Sequence, residues 1–239
     1  MVGTVVLATV VAFSSGLGTK TAEKIGRGSS PLLTYSISIQ PVECFSGIFL
    51  PDDTAREVLE RPPPENWDAI EAASGAIPVG RDDIQVSIQG ESERKITLTG
   101  ITVHVRHRPI PNGDAFYRPC GGPFIGRALE VALGKSPPQI IASSAERRGM
   151  VQPEDSVRRY SRPIRFPWTV SVTDPLLLDV LGNAEHCYCT WAAEIPWVSG
   201  AARGVIQIND EGKEFHVMSR QGLTEHATDF EGGWTTRAP

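Results

Sequence analysis

Alternation of apolar and polar residues with a period of two, punctuated by glycine and proline, restricts this chain to short β-strands. In "DIQVSIQG", Ile84, Val86 and Ile88 share one side against Gln85, Ser87 and Gln89. Successive side chains on a strand point to opposite faces, so this segment is half buried. "LLTYSISIQPVECF" repeats the pattern with Leu33, Tyr35, Ile37 and Ile39 opposite Thr34, Ser36 and Ser38. In "KITLTGITVHVRHR" the apolar positions are even at Ile96 and Leu98 but odd at Ile101, Val103 and Val105. A parity switch at Thr99-Gly100 is what the extra residue of a β-bulge produces. "RALEVALG" and "PWTVSVTDP" add strands, and "GVIQINDEGKEFHV" predicts a hairpin turning at Asn209 to Gly212.

Seven or more short strands with no long helical segments between them predict a mainly β chain. The expected form is an antiparallel β-sandwich, immunoglobulin-like in general architecture. Two short helices are expected, "DDTAREVLER" and the Trp67, Ile70, Ala73 repeat stopped by Gly75, covering an edge or end of a sheet. The chain divides into an apolar anchor or signal-like segment over 1–18, a polar linker over 19–30, a β-sandwich domain over 31–222 and a tail over 223–239.

The apolar run from Val2 to Phe13 is shorter than the ~20 residues of a membrane span, and closer to the apolar region of a signal peptide. No basic leader precedes it, and Lys20, Lys24 and Arg27 follow it, which by the positive-inside rule puts the next domain in the cytoplasm. Three readings compete: a start placed too far downstream, an atypical signal or anchor, and a buried first strand. The anchor is preferred.

Four cysteines are present, Cys44, Cys120, Cys187 and Cys189. On a fully extended strand Cys187 and Cys189 would stand about 6–7 Å apart on one face, too far for the roughly 3.5–4.5 Å between the Cβ atoms of a disulfide. Each is therefore expected to bridge to Cys44 or Cys120, in either pairing, closing long loops worth roughly 4 kcal/mol each. Their face carries Trp191, Ile195 and Trp197, with His186, Thr190 and Glu194 opposite. Buried staples fit that face better than a zinc site, which usually offers two cysteine knuckles, or a catalytic thiol, which needs a histidine on its own side. Disulfides imply an oxidising compartment, and this outweighs the charge rule at the N-terminus.

No other chemistry assembles in the sequence: no catalytic residue, cofactor site or metal site is expected. The net charge of −5 argues against a nucleic-acid partner. His104 falls on a solvent face with Thr102, Arg106 and Arg108. The pairs Asp52-Asp53 and Asp82-Asp83 suit acidic turns or helix starts at least as well as calcium. "ERRGMVQPEDSVRRYSRPIRF" carries Arg147, Arg148, Arg158, Arg159, Arg162 and Arg165. It is a candidate anion-binding loop, weighed against a plain solvated one.

Taken together, "VSIQGESERKITLTGITVHVRHRPIP", "CGG", "IRFPWTVSVTDP" and "CYCTWAAEIPWVSGAARGVIQINDEGKEF" resemble a family of actinobacterial membrane-anchored or exported β-rich proteins of unknown function. The likeness spans roughly Ser36 to Phe215. It implies an extracytoplasmic β-rich domain behind one membrane segment, in some members with a cytoplasmic helix-turn-helix before it, and it implies no activity. The expectation is a non-enzymatic envelope protein with a binding or structural role toward envelope polymer, lipid head groups or another envelope protein. The alternative is the sensory ectodomain of a transmembrane transcriptional regulator, with a hydrolase as the remote third reading.

Overall fold

The computed structural model describes residues 20–21, 32–39, 47–64, 67–117, 126–142, 161–228 and 232–237. The chain begins with β1 (Lys20–Thr21), β2 (Leu33–Ile39) and β3 (Gly47–Pro51), then α1 (Asp52–Leu59) and α2 (Asp68–Glu71). Next come β4 (Ile77–Val79), β5 (Arg81–Gly90), β6 (Ile96–Leu98), β7 (Thr102–Arg108), β8 (Gly113–Tyr117), β9 (Gly126–Ala132) and β10 (Gln139–Ala142). After these follow β11 (Ser161–Pro163), β12 (Trp168–Val170), β13 (Leu176–Asn183), β14 (Tyr188–Ser199) and β15 (Ala202–Ile208). The last three are β16 (Phe215–Met218), β17 (Thr224–Thr228) and β18 (Trp234–Arg237).

The strands form two sheets. One runs β1-β2-β5-β13-β9-β10 with β11 also on β9; the other runs β12-β6-β14-β16-β4-β3-β8-β17-β18 with β7 and β15 on β14. The alternation seen in sequence decides how they pack. Ile84, Val86 and Ile88 of β5 and Leu178 and Val180 of β13 point inward from the first sheet. They join Trp191, Ala193, Ile195, Ile206, Phe215 and Val217 of the second in one buried cluster. Each of the larger aliphatic and Phe side chains contributes about 1.5–3 kcal/mol by leaving water. The expected mainly β, two-layer architecture with two short helices is therefore the observed one.

The bulge is present as well. Leu98 opposes Trp197 and Thr102 opposes Glu194, so four steps on one side face three on β14. Thr99 donates its N–H to the Pro196 carbonyl at 2.9 Å across the irregularity.

Three expectations need correction. The pairing is mixed rather than wholly antiparallel: β9 with β13, β9 with β11, β4 with β16 and β8 with β17 all run parallel. These partners lie far apart in sequence, and among the described residues no long helix lies between them, so helical periodicity gives no sign of the parallel pairs. The all-antiparallel, immunoglobulin-like form thus does not carry over. The predicted hairpin is also different. β15 pairs with the second half of β14 and β16 with its first half, so both lie along the same edge. The turn between them is real, with Glu211 and Gly212 both at positive φ (53° and 83°), and Asp210 and Lys213 exchanging backbone hydrogen bonds. It is the tip of a loop extruded from that edge. Finally, the segment read as a tail supplies β17 and β18 to the second sheet, and Lys20–Thr21 of the linker pairs with β2.

Beyond β16 the second sheet leaves the first behind and builds an outer lobe. There α1 and α2 cover one face through Ala55, Trp67 and Ile70, packed on Ile48, Leu50 and Phe116. Asp52 and Asp53 in the first turn of α1 complement its dipole. Gly75 ends the helical segment at φ 77°, where a Cβ would meet the Pro51 ring at 2.8 Å, so only glycine fits. Among the described residues no helix is long and apolar enough to cross a membrane. The apolar run 1–18 lies outside them.

Candidate cysteine–histidine site

The chain bends at Glu185 and His186 before β14, leaving Cys187 just ahead of the strand and Cys189 inside it. Their Cα atoms are 5.4 Å apart and the two sulfurs are joined to each other. This overturns the expectation that each would bridge to Cys44 or Cys120. The 6–7 Å spacing of a fully extended strand does not hold across this pair, whose Cα separation falls in the disulfide range of about 4.4–6.8 Å. Cys44 and Cys120 lie outside the described residues. A bridge across one intervening residue removes little chain entropy, less than about 2 kcal/mol, so it is no long-range staple.

The face was read correctly. Cys189, Trp191, Ala193 and Ile195 are fully buried, and Cys187 is 5% exposed. Gly182 of β13 makes room for them: a Cβ there would come within 3.0 Å of the Trp191 ring and of Leu133.

The histidine beside the sulfurs is His107. It stands directly opposite Cys189 in the β7–β14 pair, in phase with Val103 and Val105, which pack against the core. Ligating atoms of His107, Cys187 and Cys189 all lie within 4.8 Å of one another. The Leu133 carbonyl, in the turn after β9, accepts from His107 Nε2 at 3.1 Å and lies 3.8 Å from Cys189 Sγ. That turn is held by the Leu133 N–H donating to the Asn183 carbonyl at 2.9 Å. His186, adjacent in sequence, instead places Nδ1 2.9 Å from Gln221 Oε1. The set offers two sulfurs, one imidazole and one carbonyl oxygen: a redox pair when oxidised, and metal-ligand chemistry when reduced.

The opposite face of the same strands is solvated, as expected for His104, Arg106 and Arg108. Arg106 Nε donates to both oxygens of Glu214 at 2.8 and 3.2 Å, and Thr190 Oγ1 donates to Glu214 at 2.6 Å. The Arg106 bond first, then that from Thr190, holds the Glu214 carboxyl below its ordinary value. Tyr188 Oη and His216 Nδ1 are 2.8 Å apart, and burial raises the phenol.

A second polar cluster sits in the lobe. His226, 4% exposed, stacks on Phe116. Its Nε2 is 3.1 Å from Asp114 Oδ2 and its Nδ1 3.0 Å from Thr236 Oγ1. A shallow open cavity of about 360 Å³ lies beside it, lined by Asp52, Arg56, Leu59, Glu60 and Asp114.

The remaining sequence candidates are not brought together. Asp82 and Asp83 are adjacent on β5, so their carboxylates point to opposite faces and do not converge on one ion. Asp82 faces the core opposite Gly182; burial pushes its carboxyl up to about 7, with the Trp191 indole acting in the other direction. Asp53 pairs with Arg56 at 3.7 Å within α1. Of the six loop arginines, Arg147, Arg148, Arg158 and Arg159 lie outside the described residues. Arg162 is in β11, opposite Arg127, and Arg165 is exposed.

No family model, no curated protein and no solved structure matches this chain.

Proposed function

We propose that this protein is a non-enzymatic, extracytoplasmic β-sandwich with a binding or structural role at the cell envelope, tethered by the apolar segment 1–18 or released after it. The observation that carries the reading is the Cys187–Cys189 bridge at the margin of the main core. Disulfides persist in oxidising compartments and are rare in a reducing cytosol. The resemblance to exported β-rich proteins supports the same placement. The polar side chains of the β7–β14–β16 face, grouped as Arg106 with Glu214 and Thr190 and as Tyr188 with His216, hold one another across strands, as a binding or structural surface requires.

A second reading, the sensory ectodomain of a transmembrane regulator, is favoured by one feature. The bridge closes too short a loop to be kept for stability alone, which suits a group that changes state.

The test is to alkylate thiols in intact cells making the full chain, then fractionate and map the cysteines by mass spectrometry without reduction. The expected result is membrane-associated or secreted protein whose Cys187 and Cys189 escape alkylation and run as one linked peptide. Recovery from the cytosol with both thiols alkylated would end the proposal.

A further inference from the structure

We infer that the Cys187–Cys189 bridge is one state of a redox-gated metal site: once reduced, the two cysteines and His107 form a Cys₂His donor set for Zn²⁺. The inference goes beyond the envelope reading and stands independently of where the protein resides.

Three placements carry it. First, both sulfurs and the imidazole already lie within 4.8 Å of one another. Tetrahedral zinc with Zn–S near 2.3 Å and Zn–N near 2.0–2.1 Å needs ligand atoms roughly 3.5–3.8 Å apart, so small side-chain adjustments suffice. Second, the donors are set by paired strands: Cys189 and His107 are register partners, and Cys187 is fixed by its carbonyl accepting from Ser219 N–H at 2.7 Å. Strand-borne ligands hold their positions better than loop-borne ones. Third, the Leu133 carbonyl that accepts from His107 Nε2 and flanks Cys189 is the kind of outer partner that orients a histidine whose other ring nitrogen ligates.

The gating step balances with a dithiol as reductant. One thiolate of the dithiol attacks a cysteine sulfur, giving a mixed disulfide and releasing the other cysteine as thiolate. The second thiol of the reductant then displaces the first cysteine and closes the reductant's own disulfide. Two electrons pass to the protein, which takes up two protons as thiols; zinc binding releases those two protons. In the oxidised state neither sulfur is a thiolate, so the donor set is closed to the ion.

The experiment uses the folded full chain, reduced with dithiothreitol, desalted without oxygen and titrated with Co²⁺ as a spectroscopic stand-in for Zn²⁺. Reduced protein should bind one equivalent with thiolate-to-cobalt charge transfer and strong tetrahedral d–d absorption, bleached by Zn²⁺; oxidised protein should show neither. His107→Ala should weaken binding at least about tenfold, since even outer-shell partners are worth about 10–100-fold. His186→Ala should leave it unchanged. The inference is overturned by a bridge that resists the dithiol until the chain unfolds, by reduced protein without charge transfer, or by His107→Ala binding as tightly as the parent.

Discussion

The paired-sheet core and the outer lobe solve the burial problem in different ways. In the core two sheets face each other, and β14 is flanked by β7 and β6 on one edge and by β15 and β16 on the other. The buried cluster between the sheets is mostly aliphatic, with Trp191 set against Phe215 at 5.0 Å between ring centres. The lobe buries two small apolar groups on opposite faces of its sheet: Ile48, Leu50 and Phe116 under the two short helices, and Phe49, Val79, Ala115, Met218 and Leu223 on the other side. Its interior is built from an aromatic chain, Trp67 to Trp234 to Phe116 to His226, and from a buried imidazole hydrogen-bonded at both nitrogens. Among the described residues the two regions meet through β16 and β4 at the register pair Met218 with Val79, where the Gly80 N–H also donates to the Met218 carbonyl at 2.7 Å. A double-sided core gains its stability from area alone. The lobe divides its apolar residues between two smaller clusters and adds specific rings and hydrogen bonds, and it should be the less stable part.

The largest effect should come from the core. Trp191→Ala removes a fully buried ring and should cost about 3–5 kcal/mol, a large share of a typical domain's 5–15 kcal/mol. Urea midpoints measure it, and loss of the core should take the lobe with it because the lobe is an extension of the core's own sheet. A loss below about 1.5 kcal/mol would mean the region collapses around the gap, and that the core is looser than its packing implies.

A charge test on the same core comes next. Asp82 has its carboxyl raised from 3.8 to about 7 by burial. Between those values the folded chain holds a proton that the unfolded chain has released, so stability is greatest below about pH 4 as far as this group goes. It is then lost as pH rises through 7, by at most about 4 kcal/mol at 1.36 kcal/mol per unit. Glu214 and Glu225 have lowered values and act in the opposite sense, losing their contribution as pH falls below the ordinary carboxylate range, so the windows are separate. Denaturation midpoints at about pH 5 and pH 8 should diverge in the parent and converge in Asp82→Asn. Equal slopes in both proteins would show that Asp82 is not the group being read.

The core was also the more legible half. A period of two placed Ile84, Val86 and Ile88 inward, and the parity switch at Thr99-Gly100 located the bulge, because each depends only on neighbours along the chain. His107 was within reach of the same reasoning, being in phase with Val103 and Val105, but its polarity hid it among Arg106 and Arg108. The Cys187–Cys189 bridge departs from expectation for a local reason, since the Cα separation of 5.4 Å is shorter than an extended strand gives and hydrophobic alternation carries no signal for such a contraction. The lobe was harder. β17 pairs in parallel with β8, a partner more than a hundred residues away. "TEHAT" has no apolar alternation to mark it as a strand; its one buried residue, His226, is polar, stacks on Phe116 and meets Asp114 and Thr236.

His226 therefore gives the sharpest test of the comparison, with the smallest expected effect. His226→Ala removes both hydrogen bonds and the stack on Phe116. Asp114, partly exposed, can turn to water, so the cost should be about 1–2 kcal/mol. That loss should be local: hydrogen exchange should speed up at the amides of β8, β17 and β18, while those of β5, β13 and β14 keep their protection. If protection falls equally in β5 and β14, the lobe and core form one cooperative unit, and their different interiors do not translate into different stabilities. If it falls only in the lobe, the β16–β4 contact around Met218 and Val79 is where the cooperativity of this fold divides.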